Sequence, residues 1–504
     1  MEILDKFNLN DDSKISQFYL NKTIFLTGGT GFLGKVIIEK LLRSTDVQRI
    51  FLLIRSKKEK DINKRLNDLV DDPLFETLYK QKPDFVEKVS LISGDCTLPE
   101  LGISKEDREL LKQSVEIVIH SAATVRFTEP IKFALAINVR GTKEIVKLSK
   151  EMLKLECLVY ISTAFSNCNR SNIEEKYYKT KLSGDIACNL LENLDSDLLD
   201  YMTPKLLGQF PNTYTYTKSL AEDVIVKHCK GLPVIIFRPG IVLPTYEEPV
   251  HGWIDNYYGP TSILTGVAAG ILRVIYVRMD APAHIVPVDF CANAILASTW
   301  KKATTWEKLQ SNEPAFYNFV PHEENSVEWG VYRTSIETHG VKMPLSRMLW
   351  YPVITSTTSK VLYTILKFLC HIVPGFLIDT YLRLSKRKPR LLKIYEKIHK
   401  GCDMLNFFVM NEWIFSSDNV SNLWNEMSFA DKKLFNFNMK DLDWNECLLR
   451  NLIGLRLYLV KEDPSTIPRG KALHRKLKLI HYTFVGTIYG FVLYMLWCLL
   501  RMVF

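Results

Sequence analysis

Lys22-Thr23-Ile24-Phe25-Leu26-Thr27 runs directly into Gly28-Gly29-Thr30-Gly31-Phe32-Leu33-Gly34, and a helical pattern continues from Phe32 to Arg43. The β-branched and apolar residues before the glycines read as a strand, and the glycines as the turn between strand and helix. Gly28 permits a tight turn, Gly31 lets an anion approach the backbone, and Gly34 lets the helix pack close to the strand. Unpaired amides at a helix N-terminus favour a phosphate there. Thr27, Gly28, Gly29, Thr30, Gly31, Phe32, Leu33 and Gly34 are therefore predicted to cradle the pyrophosphate of a dinucleotide.

Outward from this turn, short β-branched runs alternate with longer helical patterns as far as about Phe319. That alternation is how a parallel sheet with crossover helices is written. Candidate strands are 22–27, 49–54, 89–92, 116–119, 158–161, 234–237, 284–286 and 316–319, most of them continuously apolar and so predicted to be buried on both faces. Ala164 to Asn212 is too long for a plain loop and reads as a helical insertion beside the site. After about Pro321 the strand signal stops, and a mostly helical segment runs to about Glu462.

Composition fits this organisation. The 504 residues are 47% hydrophobic and 24% charged, with a net charge of +9 spread through interspersed acidic and basic residues. A small, diffuse excess of that kind does not describe a nucleic-acid-binding surface. Ten cysteines occur without a CxxC pair or a close Cys/His cluster, which argues against a disulfide scaffold and against a metal site.

The glycine spacing resembles the GxxGxxG of the extended short-chain dehydrogenase/reductase superfamily. At the end of the second strand, where a carboxylate would bind the ribose 2′-hydroxyl of NAD, the chain has Arg55, followed by Lys57 and Lys58. A guanidinium clamps a 2′-phosphate that a carboxylate would repel, so NADPH is the expected cofactor. Arg65 reads either as a second phosphate contact or as part of a solvated helix face. Asp95 reads either as an acceptor for the adenine amino group or as a helix cap. Ser121 and Ala122, after the fourth strand, are small enough to let the dinucleotide pass.

Tyr214 and Lys218 stand four apart in a helical segment and share one face, whereas Tyr216 points elsewhere. A neighbouring ammonium is expected to lower the phenol's pKa from near 10, so that Tyr214 donates a proton while the cofactor donates hydride. Ser162 and Thr163 end the fifth strand, where a hydroxyl can polarise a carbonyl. The superfamily pattern favours Thr163, with Ser162 second. Asn138 resembles the helix asparagine that holds the superfamily's hydrogen-bond chain, and reads equally as a buried polar group satisfied by backbone.

The whole pattern resembles a eukaryotic, alcohol-forming fatty acyl-CoA reductase. The resemblance rests on Thr27 to Gly34, Pro211 to Lys218, Arg238-Pro239, Gly252 to Asn256 with Gly259-Pro260, and Ile285 to Asp289. It continues through Asn411 to Phe415, Asp443-Trp444 and Gly454 to Arg456. It implies an α/β fold: a Rossmann-type doubly wound parallel sheet with a substrate-binding part, then a mostly helical C-terminal domain and a C-terminal hydrophobic helix. The expected domains are 1–320, 321–465 and 479–500. The resemblance further implies reduction of a long-chain fatty acyl-CoA by two NADPH, through an aldehyde, to an alcohol and free CoA. Reduction that stops at the aldehyde, a sterol or sugar-nucleotide dehydrogenase, and a non-catalytic NADP-binding scaffold are the alternatives. Trp253 to Gly259 reads as a substrate wall or as a core loop. Oligomeric state is not legible.

Leu479 to Leu500 contains no Asp, Glu, Lys or Arg, and its 22 residues suffice to cross a bilayer core of ~30 Å. Arg469, Lys471, Arg475, Lys476 and Lys478 precede it and only Arg501 follows, which favours a cytosolic body. Met1 to Leu20 lacks a secretory signal pattern. The expected location is a membrane, endoplasmic reticulum first and peroxisome second, with lipid as a partner. Lys360 to Ile378 is apolar but interrupted, and reads as a buried or interfacial helix. The sequons at Asn21, Asn169 and Asn419 read as chance occurrences.

Overall fold

The structure, a computed structural model, describes residues 12–55, 62–309 and 313–503. Seven strands form one parallel sheet: β1 (Thr23–Thr27), β2 (Arg49–Ile54), β3 (Val89–Ser93), β4 (Ile117–His120), β5 (Cys157–Ile161), β6 (Val234–Pro239) and β7 (Ala315–Phe319). Their order across the sheet is β7-β6-β5-β4-β1-β2-β3. The remaining candidate strand falls outside it: Ile285–Pro287 pairs only with Ile241–Leu243, in a separate two-stranded sheet.

Burial accounts for the apolar runs. Every residue of β1, β5 and β6 is buried, because helices cover both faces of the sheet. On one face Phe25, Val118, Leu158 and Ile236 pack with Ile145 and Leu148 of helix α2 (Gly141–Glu151) and with Ala221 and Ile225 of α3 (Thr213–His228). Each such side chain contributes roughly 1.5–3 kcal/mol by leaving water. Asn212 starts α3 by accepting a hydrogen bond from the Thr215 amide, a cap worth about 1 kcal/mol.

The chain builds β1, β2 and β3 toward one edge and then crosses to place β4 on the other side of β1. The reversal opens a crevice beyond the carboxyl ends of β1 and β4, where ligands bind in folds of this kind. Register lines the crevice up: Thr27 is opposite His120, His120 opposite Tyr160, and Ile161 opposite Phe237. Glycine turn, β4 loop and β5 loop thus leave the sheet at one level.

Two compact units interleave in sequence. The first comprises residues 1–253, 284–326 and 413–442, and holds the sheet. The insertion between β5 and α3 lies in it as helices Gly184–Asn193 and Ser196–Leu207. The second comprises residues 254–283, 327–412 and 443–504 and is mostly helical. Two helices among the described residues are long and apolar enough to cross a membrane, Lys360–Leu384 and Pro464–Met502. Neither is buried: 17% of the most apolar window of the first is covered, and none of that of the second. A buried Lys360 helix is therefore ruled out, while the two exposed apolar helices point to membrane association.

Candidate active site

Sterics at the turn after β1 demand glycine. Gly28 has φ +78°, and a Cβ there would lie 2.7 Å from the Ala122 nitrogen, against the backbone of the β4 loop. A Cβ on Gly34 would sit 2.2 Å from the Gly28 carbonyl oxygen, so turn and helix touch backbone to backbone. Helix α1 (Phe32–Ser44) begins at Gly31 with no side chain capping its first amides. An uncapped helix start beside a Cβ-free turn fits the pyrophosphate of a dinucleotide. Trp253 stacks on Phe32 at 5.4 Å, and its indole donates to Asp72 at 2.7 Å, so it anchors the start of α1 from the core. Gly29, with Leu52 and Ile38 against it, and Leu33 complete the turn.

The basic residues gather at the same end. Arg65 donates to the Arg55 carbonyl at 2.6 Å and to the Thr30 hydroxyl at 3.2 Å, bridging the end of β2 to the glycine turn. Its side chain remains partly exposed. Arg55 is half-exposed, with its Nε 3.7 Å from Asp95 Oδ2. The other Asp95 oxygen accepts from the amide and hydroxyl of Thr97 at 2.8 and 2.9 Å, so it closes a turn instead of starting a helix. Lys57 and Lys58 lie outside the described residues.

Between turn and sheet sits His120, to which sequence reasoning assigned no role. Its Nδ1 meets the Thr27 hydroxyl at 2.7 Å and its Nε2 the Thr142 hydroxyl at 3.1 Å. Burial and the nearby Lys218 push its pKa down to about 3, so the ring is neutral and acts as a spacer. The Thr27 hydroxyl also accepts from the Ala122 amide at 3.2 Å, fixing the loop that carries Ser121 and Ala122.

Tyr214, Lys218 and Thr163 come together at the carboxyl end of β5. The Thr163 hydroxyl lies close enough to the Tyr214 phenol to lower its pKa, while itself donating to the Pro239 carbonyl at 3.5 Å and accepting from the Phe165 amide at 3.3 Å; the Tyr214 ring stacks on Phe127 at 5.9 Å. Lys218 donates to the Ile161 carbonyl at 2.6 Å, and its ammonium lies 4.8 Å from the centre of the Tyr160 ring. Tyr216 turns away into an apolar cluster, against Phe210. The expectation that the ammonium lowers the phenol's pKa is overturned. Burial dominates and raises Tyr214 to about 12, against the lowering effect of Thr163. Burial likewise lowers Lys218 to about 7, opposed by Glu222. At neutral pH Tyr214 is thus a fully protonated donor.

Ser162 is otherwise engaged. It donates to Glu222 at 2.6 Å. Glu222 also accepts from Ser166 at 2.8 Å, Asn167 at 3.3 Å, and Arg238 at 2.9 and 2.7 Å. Arg238 and Glu222 are buried at 0% and 2% exposure. This network braces the β5 loop from behind, so Thr163, not Ser162, meets the tyrosine. Glu222 continues the row Tyr214, Lys218 at four-residue spacing, a signal that could have drawn attention to it but not to its partner Arg238. Asn138 donates to Thr217 at 2.9 Å and Thr124 at 3.2 Å, tying α3 to the β4 loop without contacting Lys218 through its side chain. No cluster of metal-ligating side chains occurs among the described residues.

An NAD-binding family model described as male sterility protein matches residues 26–295, and a second model of that description matches 370–462. Fatty acyl-CoA reductase wat of Drosophila melanogaster is 47% identical over 495 residues, covering 98% of this chain and 95% of the relative. The chain belongs to the fatty acyl-CoA reductase family. Human fatty acyl-CoA reductase 1 is 36% identical over 93% of this chain and 91% of its own length. Among solved structures, the terminal R domain of the myxalamid pathway superposes with TM-score 0.57 at 19% identity, covering 88% of this chain and 92% of that one. The reductase domain of a nonribosomal peptide synthetase from Mycobacterium tuberculosis superposes with TM-score 0.56 at 18% identity, covering 86% and 92%. These two share the fold. The reductase is accordingly an oxidoreductase, and the NAD-binding family of its first part makes the cofactor a nicotinamide dinucleotide.

Proposed function

We propose that the protein reduces long-chain fatty acyl-CoA to the fatty alcohol, with release of CoA and consumption of two NADPH. The approach of the Thr163 hydroxyl to the buried Tyr214 phenol, with Lys218 held on the Ile161 carbonyl one helical turn behind, supports this reading most. Thr27 to Gly34, Ser121 and Ala122 would hold the pyrophosphate, Arg55 and Arg65 the 2′-phosphate, and Asp95 the adenosine side. Asn138 would keep the loop beside the nicotinamide in place, and Lys218 would reach its ribose. When bound, NADPH supplies the hydride for two reductions, first of the thioester and then of the aldehyde.

The residues do the rest. Thr163 and Tyr214 donate hydrogen bonds to the carbonyl oxygen and stabilise the charge that develops on it. The resulting thiohemiacetal collapses and expels CoA thiolate. Tyr214 then protonates the alkoxide formed from the aldehyde. The test is a count of cofactor oxidised per thiol released from graded acyl-CoA substrates. Two to one supports the alcohol, and one to one means reduction ends at the aldehyde.

Three outcomes follow from the geometry. Thr163→Ala lowers kcat by roughly 10²–10³-fold, the value of one oxyanion donor, whereas Ser162→Ala leaves kcat within about tenfold because its hydroxyl serves Glu222. Arg55→Ala raises KM for NADPH by about 10- to 100-fold through loss of charged hydrogen bonds and leaves KM for NADH unchanged. Lys218 carries its proton below pH about 7 and loses it above, while Tyr214, near 12, stays protonated throughout. Hence kcat/KM falls as pH rises through about 7, and the profile of Lys218→Met is low and flat over the same range.

The helix Pro464–Met502 would anchor the reductase in a bilayer, with the basic residues from Arg469 to Lys478 on the cytosolic side. The endoplasmic reticulum is the first assignment and the peroxisome the second. An anchored enzyme takes an amphipathic substrate from lipid, and its product returns there.

A further inference from the structure

The helix Lys360–Leu384 is amphipathic the wrong way round for a protein surface in water. Its buried residues form a single row, Tyr363, His371, Gly375 and Asp379. The row is polar and individually fastened. His371 accepts from the Arg273 amide at 3.0 Å and meets His399 at 2.9 Å. Gly375 lies against Leu392 and Tyr395. Asp379 accepts from the amides of Arg390, Leu391 and Leu392 at 3.0, 2.9 and 3.0 Å. The opposite face is apolar and open: Val361 is 72% exposed, Phe368 55%, Phe376 57%, Leu377 61% and Leu384 81%. Apolar surface of this extent facing water is rare on a soluble protein and marks a contact.

We propose that this face lies in the interfacial layer of a bilayer carrying anionic headgroups, as a second membrane contact distinct from the C-terminal helix. Two observations select that occupant. First, the chain leaves the helix through Lys386, Arg387, Lys388 and Arg390, all exposed, a cationic cluster at the end of an apolar face. That pairing suits acyl chains beneath phosphate headgroups. Second, the helix is linked to the start of the C-terminal apolar segment. Arg273, whose amide holds His371, sets its guanidinium 5.9 Å from the centre of the Trp350 ring. Trp350 in turn meets His481 and Phe484 at 6.2 Å. Because the polar row is bonded to the second unit along its length, the helix lies along the surface and does not cross it.

The test uses the full-length protein in vesicles containing phosphatidylserine, with the partly exposed Cys370 and Cys498 replaced by alanine. Nitroxides are placed at Leu377→Cys, Val361→Cys, Leu493→Cys in the C-terminal helix, and Tyr201→Cys on the first unit. Labels at 377 and 361 are expected to collide more with oxygen than with a water-soluble nickel chelate, and the label at 201 the reverse. Replacing phosphatidylserine by phosphatidylcholine, or introducing Lys386→Glu, Arg387→Glu and Lys388→Glu together, should shift the label at 377 toward water. Water-like values at 377 and 361 with a lipid-like value at 493 overturn the proposal while leaving the anchor intact. Water-like values at all three remove both. Spin–spin broadening at 377 identifies a second copy of the chain as the occupant and also overturns it. An unchanged label in the charge-reversed protein refutes the role of the headgroups.

Discussion

Tyr214→Phe is expected to lower kcat by about 10²–10⁴-fold, the usual value of a positioned general acid, with NADPH affinity unchanged. The substitution removes one oxygen and keeps the ring against Phe127, so packing survives. What is lost is the buried hydroxyl beside Thr163, with burial holding its proton. Steady-state oxidation of NADPH with acyl-CoA reads kcat, and quenching of protein fluorescence by NADPH reads affinity. The expected pattern is loss of kcat and kcat/KM together, the mark of an interaction made in the transition state. Full activity in this variant would remove Tyr214 from the chemistry.

The largest stability effect is expected at a residue that touches no substrate. Glu222→Ala strips the partner from Arg238, which is 0% exposed, and breaking a buried pair in this way costs about 3–5 kcal/mol. It also frees the hydroxyls of Ser162 and Ser166 and the amide of Asn167, each of which donates to this carboxylate. Arg238 keeps its bonds to the Glu174 and Lys176 carbonyls, at 3.1 and 3.0 Å, so the charge stays buried without compensation. The urea midpoint of the detergent-solubilised protein should fall accordingly. Glu222→Gln, which keeps the shape and two hydrogen-bonding positions, should fall less. Equal loss in both variants would assign the effect to charge alone, and no loss in either would deny the network a structural role.

Sequence carried the parts of this molecule that depend on local pattern. Strands buried on both faces are written as apolar runs, and most of the seven members of the sheet stood out in that way, the edge strand β3 (Val89–Ser93) being interrupted by serine and only partly buried. The turn from Gly28 to Gly34 was legible because backbone meeting backbone leaves glycine without a substitute. The face shared by Tyr214 and Lys218 followed from helical spacing alone. Features set by distant neighbours were not legible. Glu222 pairs with Arg238 across the β6–α3 contact, and nothing near either residue announces it. The titration of the pair was not legible because spacing gives proximity but not burial, and burial raises Tyr214 and lowers Lys218. Ile285–Pro287 has the composition of a strand, but its partner is Ile241–Leu243, which composition cannot supply. The return of residues 413–442 to the first unit also left no local trace.

The most direct test of the account follows deuterium from cofactor to product. The reductase is given long-chain acyl-CoA and NADPH deuterated at the transferring position of C4, and the product is analysed by mass spectrometry. One site performing both reductions predicts a fatty alcohol with two deuterium atoms on carbon 1, and one deuterium when the free aldehyde is supplied instead. A singly labelled aldehyde as the end product, or an alcohol without deuterium on that carbon, would contradict it.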